Sequence, residues 1–326
     1  MTAQGGRDPS RIPYPVSPSV WPHRLALLTA TCTIPLLFIG GLVTSKGAGL
    51  AVPDWPTTFG YNPFLYPWSK MVGNIFYEHS HRLVASAVGF VTILLCLALW
   101  LREPQRWLRR LGAAALALVI VQGVIGGLRV VLLEQTLAVV HACLAQAFFA
   151  LTVSLALFTS EGWRERPTKS AVADAGRLQR LGVATVALIY AQVFFGAVLR
   201  HTGAMLDIHL VFAFLAALHV ILVGARILRR HLDQPALFRP ALLLNGLLLL
   251  QLGLGLGAYL AKFVMTLPET STVLLRTGHV VVGALMLAAS LVVTLRSFAL
   301  LAQCGPAGEG IATPVALGSG QQRASA

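Results

Sequence analysis

Four of the nine histidines in this chain occupy corresponding places in a hydrophobic sequence, and together they could bind metal. They are His81, His141, His209 and His279. Two imidazoles on opposite sides of one iron can act as the axial ligands of a haem. The four positions therefore indicate two bis-histidine haem sites, with four unrelated hydrogen-bonding histidines as the structural alternative. A mononuclear zinc or copper site fits less well, because it needs three or more ligands converging on one point.

The elements that carry these histidines are predicted to be membrane-spanning helices. Of the 326 residues, 56% are hydrophobic and 11% are charged, whereas a soluble domain has about 25% charged residues. Eight windows contain no Asp, Glu, Lys or Arg, and each is close to the ~20 residues that a helix needs to cross a bilayer. We therefore predict an all-α polytopic membrane protein with eight transmembrane helices, in the windows 25–45, 83–100, 111–128, 135–160, 181–199, 208–225, 240–261 and 277–295.

An internal repeat relates the first four predicted helices to the last four. Helix one ends GGLVTSKGAGL and helix five ends GAVLRHTGAML, in the same register, and each even-numbered helix has one of the four histidines near its start. Four spans per half preserve the direction of the chain through the membrane, so the halves are predicted to be two pseudo-symmetric four-helix bundles. The repeat pairs His81 with His141 and His209 with His279, all near one depth.

Only the first half carries a carboxylate beside its histidine and a long outer loop. Glu78 precedes His81 by three residues, so the two share one helix face. A carboxylate there could accept a proton or stabilise a developing cation, although the helix dipole alone also favours it. The loop 47–77 is rich in proline and aromatic residues and is predicted to lie over the N-terminal bundle, whereas Asp207 stands only two residues before His209 and follows a short loop. This asymmetry assigns chemistry to the N-terminal bundle and electron delivery to the C-terminal bundle.

Four arginines near the outer ends of helices are candidate partners for haem propionates. Guanidinium groups bind carboxylates through paired hydrogen bonds, although arginines at loop ends are otherwise ordinary. Arg82 and Arg129 are assigned to the N-terminal site, and Arg200 and Arg276 to the C-terminal site.

The distribution of positive charge predicts the orientation of the chain. The formal net charge is +13, and 18 of the 25 Lys and Arg residues lie near the termini and the connections after helices two, four and six. Basic connections stay on the cytoplasmic side, so both termini are predicted to be cytoplasmic and the histidines to lie near the outer face. The bilayer explains this charge, which therefore gives no indication of nucleic-acid binding. The lack of an Arg- and Ser-rich presequence favours a bacterial inner membrane over a mitochondrial one.

These features divide the chain into five predicted segments. They are a cytoplasmic N-terminal segment, the N-terminal bundle with its outer loop, a cytoplasmic linker, the C-terminal bundle and a disordered tail. Their bounds are 1–24, 25–160 with loop 47–77, 161–180, 181–300 and 301–326.

The sequence resembles the haem A synthase family (CtaA in bacteria, Cox15 in mitochondria). The resemblance is carried by the GGLVTSKGAGL stretch with the following PDWP, by the EHSHR run around His81, by GAVLRHTGA and by the four helix-start histidines. It extends from helix one to helix eight. The chain departs from the family in the outer loop, where many bacterial members carry a cysteine pair around the PDWP stretch and this sequence has Val52, Thr57 and Thr58.

The resemblance implies an oxidoreductase that converts the C8 methyl of haem O to a formyl group by successive hydroxylations, yielding haem A. It further implies that His209 and His279 bind a resident haem b, that His81 and His141 bind the substrate haem, and that Glu78 is needed for catalysis. Haem O synthase is the implied source of the haem O. The electron donor and the oligomeric state, a homo-oligomer included, are left open.

A dihaem membrane cytochrome that acts only in electron transfer is the alternative that the histidine pairs alone allow. Such a protein gives no reason for Glu78 and a long loop in one half only, and it would more naturally stack its haems across the membrane. A transporter with a four-plus-four repeat would need polar groups near the midplane. The candidates for such groups are sparse, namely Gln122, Gln251 and His219.

Overall fold

The structure is a computed structural model that describes residues 19–165 and 169–303. Eight helices in these residues are long and apolar enough to cross a membrane, which confirms the predicted all-α polytopic architecture. Most are longer than the uncharged windows because polar and charged residues continue the helices at one or both ends, whereas Gln135–Thr159 is one residue shorter than its window. Their bounds are α1 (Trp21–Ser45), α2 (Asn74–Arg102), α3 (Arg106–Leu132), α4 (Gln135–Thr159), α5 (Ala175–Thr202), α6 (Leu206–Arg230), α7 (Pro235–Phe263) and α8 (Glu269–Leu300).

The eight helices form two four-helix bundles, one from each half of the chain. In each bundle consecutive helices pack together, and the ring is closed by α4 against α1 in the first bundle and by α8 against α5 in the second. The four helices of each bundle bury apolar side chains between them. Their polar side chains lie at the helix ends and inside the bundle. The bundle cores include Leu95, Leu99, Leu108 and Leu155 in the first half and Ile189, Val220, Leu244 and Leu287 in the second.

The two bundles share an interface in which α1 and α4 meet α5 and α8. Small side chains let these helices approach closely, as is common between membrane helices. A buried apolar cluster joins Leu37 and Phe149 of the first bundle to Ala284 and Ala288 of the second. Nearer the start of α4, Cys143 packs with Ala197 of α5.

The connection between the bundles contains a one-turn helix, Glu161–Arg164, and a strand β1 (Ser170–Val172). Strand β1 pairs in parallel with β2 (Leu301–Gln303). The predicted disordered tail therefore starts too early, because residues 301–303 find a backbone partner in the linker that local composition does not reveal. The remaining tail, 304–326, and the N-terminal residues 1–18 lie outside the described residues.

Buried ion pairs hold the helices together at the end that carries this linker. Glu103, after α2, is fully buried and pairs with Arg164. Asp174, just before α5, accepts a hydrogen bond from Arg226 of α6 at 2.9 Å, and its other oxygen lies 3.5 Å from His231. A charge taken out of water needs a partner, so each of these carboxylates is tied to a cation from another part of the chain.

Candidate functional site

The structure brings the four helix-start histidines together as two pairs. The ring centroids of His81 on α2 and His141 on α4 lie 6.5 Å apart, and the ring planes are inclined by 76°. The rings of His209 on α6 and His279 on α8 lie 6.4 Å apart at 70°. These are the pairings that the internal repeat indicates, and their geometry is nearly the same in the two bundles.

Both separations fit a single metal ion between two imidazoles. A metal about 2 Å from each ligating nitrogen, with each nitrogen about 1 Å from its ring centroid, separates the centroids by about 6 Å. The Nδ1 atom of each of the four rings is buried and has no hydrogen-bond partner among the described residues. In the same part of the chain, no group of three or more His, Cys, Asp or Glu side chains could hold a metal ion. The residues present therefore suit iron with two axial imidazoles, which is the arrangement in a bis-histidine haem.

Glutamine side chains distinguish the two pairs. Gln192 Nε2 lies 3.2 Å from His209 Nε2, and Gln251 Nε2 lies 3.4 Å from His279 Nε2. In the first bundle, Gln122 instead donates a hydrogen bond to the backbone oxygen of His141 at 3.1 Å. The sequence reasoning did not single out Gln192, whose position on α5 is marked by no motif.

Glu78 lies on α2 beside the first pair, and only 4% of its surface is exposed. Its Oε2 accepts a hydrogen bond from the backbone N–H of Val52 at 3.0 Å. Its Oε1 accepts a hydrogen bond from Arg82 Nη2 at 2.8 Å, and the two side chains, one helical turn apart on α2, form an ion pair. Both carboxylate oxygens are therefore held in fixed positions at the base of the outer loop.

Arg82 links this carboxylate to the outer loop. Its guanidinium donates hydrogen bonds to the backbone oxygens of Val52 at 3.0 Å, Asp54 at 2.7 Å and Thr57 at 3.0 Å. Four guanidinium hydrogen bonds are thus made to protein groups, including the one to Glu78. Arg82 therefore joins the outer loop to α2. These partners differ from the haem propionates that the sequence suggested.

Further contacts seat the outer loop on the ends of α2 and α3. The Trp55 indole lies directly over Gly127 of α3, where an added Cβ would stand 2.2 Å from the ring. Thr58 Oγ1 lies 3.1 Å from His79 Nδ1, and the ring of Tyr66 lies 5.0 Å from that of His79. Sequence reasoning missed both Trp55 and His79, although the PDWP and EHSHR runs contain them.

Asp54 organises the turn at the tip of this segment. Its Oδ1 accepts a hydrogen bond from the Phe59 N–H at 2.7 Å, and its Oδ2 accepts from the Gly60 N–H at 2.8 Å and from Thr57 Oγ1 at 2.5 Å. Burial by itself raises the pKa of Asp54, but these hydrogen bonds to the charged form outweigh it and bring the pKa below its ordinary value of 3.8.

Arg129, in the last turn of α3, lies at the outer loop and near the first histidine pair. Its guanidinium lies against Gly49 of the outer loop, where an added Cβ would stand 2.2 Å from Nη2. Its positive charge is within electrostatic range of Glu78, His81 and His141. Of the two arginines assigned to this site, Arg129 is the one whose position suits an anionic group bound between the histidines.

Arg200 lies at the boundary between the bundles. Its Nη2 donates hydrogen bonds to Gly41 O and Ser45 Oγ of α1, both at 2.8 Å, and its Nη1 donates to Arg276 O at 3.3 Å. The side chain of Arg276 is half-buried at the same end of α8. The structure therefore brings these two arginines together near the outer end of the second bundle, with Arg200 reaching across to the first.

The second bundle lacks the carboxylate and the cover of the first. Asp207 is exposed, and the loop between α5 and α6 is only three residues long. At this end, Lys46 at the end of α1 makes a 2.7 Å ion pair with Glu269 of α8, and this hydrogen-bonded partner raises the pKa of Lys46. The asymmetry that the sequence indicates is thus present in the arrangement of the described side chains.

Comparison with known proteins agrees with this architecture. The family model described as cytochrome oxidase assembly protein (COX15-CtaA) matches residues 23–209, more than half of the chain. The chain belongs to this family. The matched segment runs from α1 to the start of α6, so it contains Glu78, His81, His141 and His209, whereas His279 lies beyond it.

Several curated bacterial proteins named haem A synthase are similar to this family member. The protein of Shouchella clausii is 30% identical over 187 residues, which are 56% of this chain and 60% of the relative. That of Alkalihalophilus pseudofirmus is 28% identical over 184 residues, 56% of this chain and 60% of the relative. That of Halalkalibacterium halodurans is 29% identical over 185 residues, 55% of this chain and 59% of the relative. The chain thus spans about three fifths of the length of the curated relatives that it matches.

Proposed function

We propose that this protein is a haem A synthase, a membrane oxidoreductase that converts the C8 methyl of haem O to a formyl group by successive hydroxylations. The reaction takes place in the N-terminal bundle, and a haem b in the C-terminal bundle relays electrons. One observation carries the proposal: two histidine pairs have nearly equal separations of 6.5 and 6.4 Å, and only the first lies beside Glu78 and the outer loop. Family membership and the named relatives support it.

The four histidines divide between substrate and cofactor in this proposal. His81 and His141 hold the substrate haem O, while His209 and His279 hold haem b. A haem b bound there supplies one-electron transfer. Arg129 binds propionates at the first site, and Arg200 and Arg276 do so at the second, because guanidinium groups pair with carboxylates.

Glu78 and the outer loop supply what the second bundle lacks. The Glu78 carboxylate beside the first pair is placed to exchange a proton with the reacting group or to stabilise a cation that develops there. The hydrogen bonds from Val52 and Arg82 keep this carboxylate in one orientation. Trp55, packed over Gly127, covers the outer end of the bundle and excludes water from the reacting group.

The charge distribution supports a defined orientation in a bacterial inner membrane. With the basic connections on the cytoplasmic side, both termini are cytoplasmic and the two histidine pairs lie near the outer face. Haem O reaches the N-terminal site from the bilayer, handed over by haem O synthase.

The test is expression of the full chain in a bacterial host that makes haem O but has no haem A synthase of its own. Extracted haems are separated by liquid chromatography and identified by mass spectrometry, with the host carrying an empty vector as control. We expect hydroxylated and formyl derivatives of haem O in the expressing cells only. Protein that retains both haems and yields no oxidised haem would overturn the proposal in favour of the electron-transfer cytochrome.

A further inference from the structure

Each of the four paired histidines packs against a glycine of the preceding helix. A Cβ added to Gly40 of α1 would stand 3.1 Å from Cε1 of His81. The same contact recurs between α3 and α4, between α5 and α6, and between α7 and α8. There the added Cβ would stand 3.0 Å from His141 at Gly126, 3.0 Å from His209 at Gly196 and 2.9 Å from His279 at Gly255.

In all four cases the same edge of the imidazole faces the glycine. The nearest ring atom is Cε1, and the next is Nδ1 at 3.3 to 3.5 Å. Carbon atoms in van der Waals contact lie about 3.5 to 4.0 Å apart, so even the methyl group of alanine would push the ring away. The contact therefore fixes how far each imidazole stands from the neighbouring helix. The Nε2 atom, which is also bonded to Cε1, would lie 3.8 to 3.9 Å from the added Cβ at Gly40, Gly126 and Gly255.

Two other uses of glycine do not account for these positions. All four lie inside helices and none has the positive φ that favours glycine, so the backbone conformation does not require them. Glycines that serve helix packing in this chain face other side chains, as Gly41 faces Thr277 and Gly112 faces Leu99.

We propose that Gly40, Gly126, Gly196 and Gly255 are positioning residues that set the distance and the ring orientation of the haem ligands. This inference rests on the proposed ligation of haem by the four histidines. Each glycine acts through its histidine, in the manner of the neighbouring groups that orient ligands in other metal sites.

The test compares Gly126→Ala with Gly123→Ala and Gly255→Ala with Gly253→Ala in the full-length protein purified with bound haem. Gly123 and Gly253 lie on the same two helices, and an added Cβ there would meet nothing within 4 Å. These control variants carry the same change in helix propensity without touching a histidine. The readouts are haem content and the electron paramagnetic resonance signals of the ferric haems, which report the angle between the two imidazole planes.

We expect Gly126→Ala and Gly255→Ala each to displace the ferric signal of the haem in their own bundle and to weaken haem retention about 10-fold, as loss of a ligand-orienting contact does. The signal of the other bundle should be unchanged, which shows that the variant is folded. Should either alanine variant fail to fold, Gly40→Ala provides a milder probe, because its added Cβ lies farthest from the ring at 3.1 Å.

Two results would overturn the inference without touching the proposed function. One is a wild-type spectrum and a wild-type haem content in both Gly126→Ala and Gly255→Ala. The other is an equal change in the Gly123→Ala and Gly253→Ala controls. If the wild-type protein itself showed no bis-histidine haem signal, the proposed ligation of haem would fail, and the proposed role of the four glycines would fail with it.

Discussion

At the scale of single residues, the Glu78 carboxylate has one use that the structure shows, holding the outer loop, and one that we propose, accepting a proton. It stands on the helix of His81 close to the first histidine pair, and it also holds the outer loop through the Val52 N–H and Arg82. A group used as a proton acceptor needs its negative charge, whereas a group used only as a hydrogen-bond acceptor needs an oxygen in the same place. Substitutions that separate charge from shape therefore distinguish the two uses.

We expect Glu78→Gln to lower the yield of oxidised haem by at least about 100-fold, which is the smallest effect typical of losing a general base. The amide keeps the size of the side chain and one acceptor oxygen, so the outer loop and the bound haem should be retained. Glu78→Ala should lose the product and also loosen the loop. The measurements are product yield per bound haem and total haem content.

Glu134→Gln is the matched control, because Glu134 is an exposed carboxylate at the same end of the molecule, just before α4. It should leave product yield unchanged. Wild-type product formation by Glu78→Gln would show that Glu78 serves only to hold the loop.

At the scale of elements, the outer loop is ordered by a few side chains that collect backbone groups. Asp54 accepts hydrogen bonds from the N–H groups of Phe59 and Gly60, and Arg82 donates hydrogen bonds to three backbone oxygens of the same loop. Aromatic packing of Trp55 on α3 then seats the ordered loop on the bundle. Asp54 and Arg82 thus bond the polar backbone of the loop locally; Val52 and Tyr66 are buried, whereas Phe64, Leu65 and Trp68 are exposed.

We expect the order of this loop to depend on pH through Asp54. The pKa of Asp54 in the folded loop is below 3.8, so its contribution to loop stability is complete above about pH 4 and is lost as the pH falls through the lower, folded value. Asp54→Asn should remove the charge-assisted part at neutral pH and weaken the loop by about 1–3 kcal/mol. Hydrogen exchange of residues 50–62, followed by mass spectrometry, measures both effects.

Asp207→Asn is the control for this prediction, since Asp207 is an exposed aspartate at the same end of the molecule. It should leave exchange in the loop unaltered. Loop exchange that is the same in Asp54→Asn and in the wild type at neutral pH would contradict the role given to Asp54.

At the scale of the whole molecule, two bundles of equal design carry one histidine pair each and meet along α1, α4, α5 and α8. Each pair lies within its own ring of four helices, so each bundle should bind haem without the other. Polar contacts at one end of the interface join the halves, such as Arg200 with Gly41 and Ser45, but none of them includes a paired histidine.

Removing one histidine pair should therefore abolish one haem and leave the other. We expect the double variant His81→Ala with His141→Ala and the double variant His209→Ala with His279→Ala each to retain about half of the wild-type haem, because a bundle without imidazoles has no axial ligands for iron. Pyridine haemochrome spectra of the purified proteins measure the haem content.

His219→Ala serves as the control, because the ring of His219 lies 2.9 Å from the backbone oxygen of Leu215 in its own helix and belongs to neither pair. It should keep full haem content. Complete loss of haem on substitution of either pair alone would show that the two bundles do not bind haem independently.

The amino-acid sequence alone was sufficient for the eight helices, the repeat and the pairing of the four histidines. These follow from regularities that act along the chain: uncharged windows of membrane length, a register that repeats after four helices, and imidazoles at equivalent helix starts. The asymmetry between the halves was also visible, since Glu78 and the residues of the long loop stand in the sequence whether or not the chain is folded.

Only the tertiary structure decided what these groups touch. That Arg82 holds loop carbonyls, that β2 pairs with the linker, and that Gly40 and Gly126 seat imidazoles from other helices are contacts between distant or separately packed segments. The reason is physical: composition and periodicity report whether a residue lies in a helix and on which face. Whether a helical glycine faces a histidine ring or another side chain depends on how two helices come together.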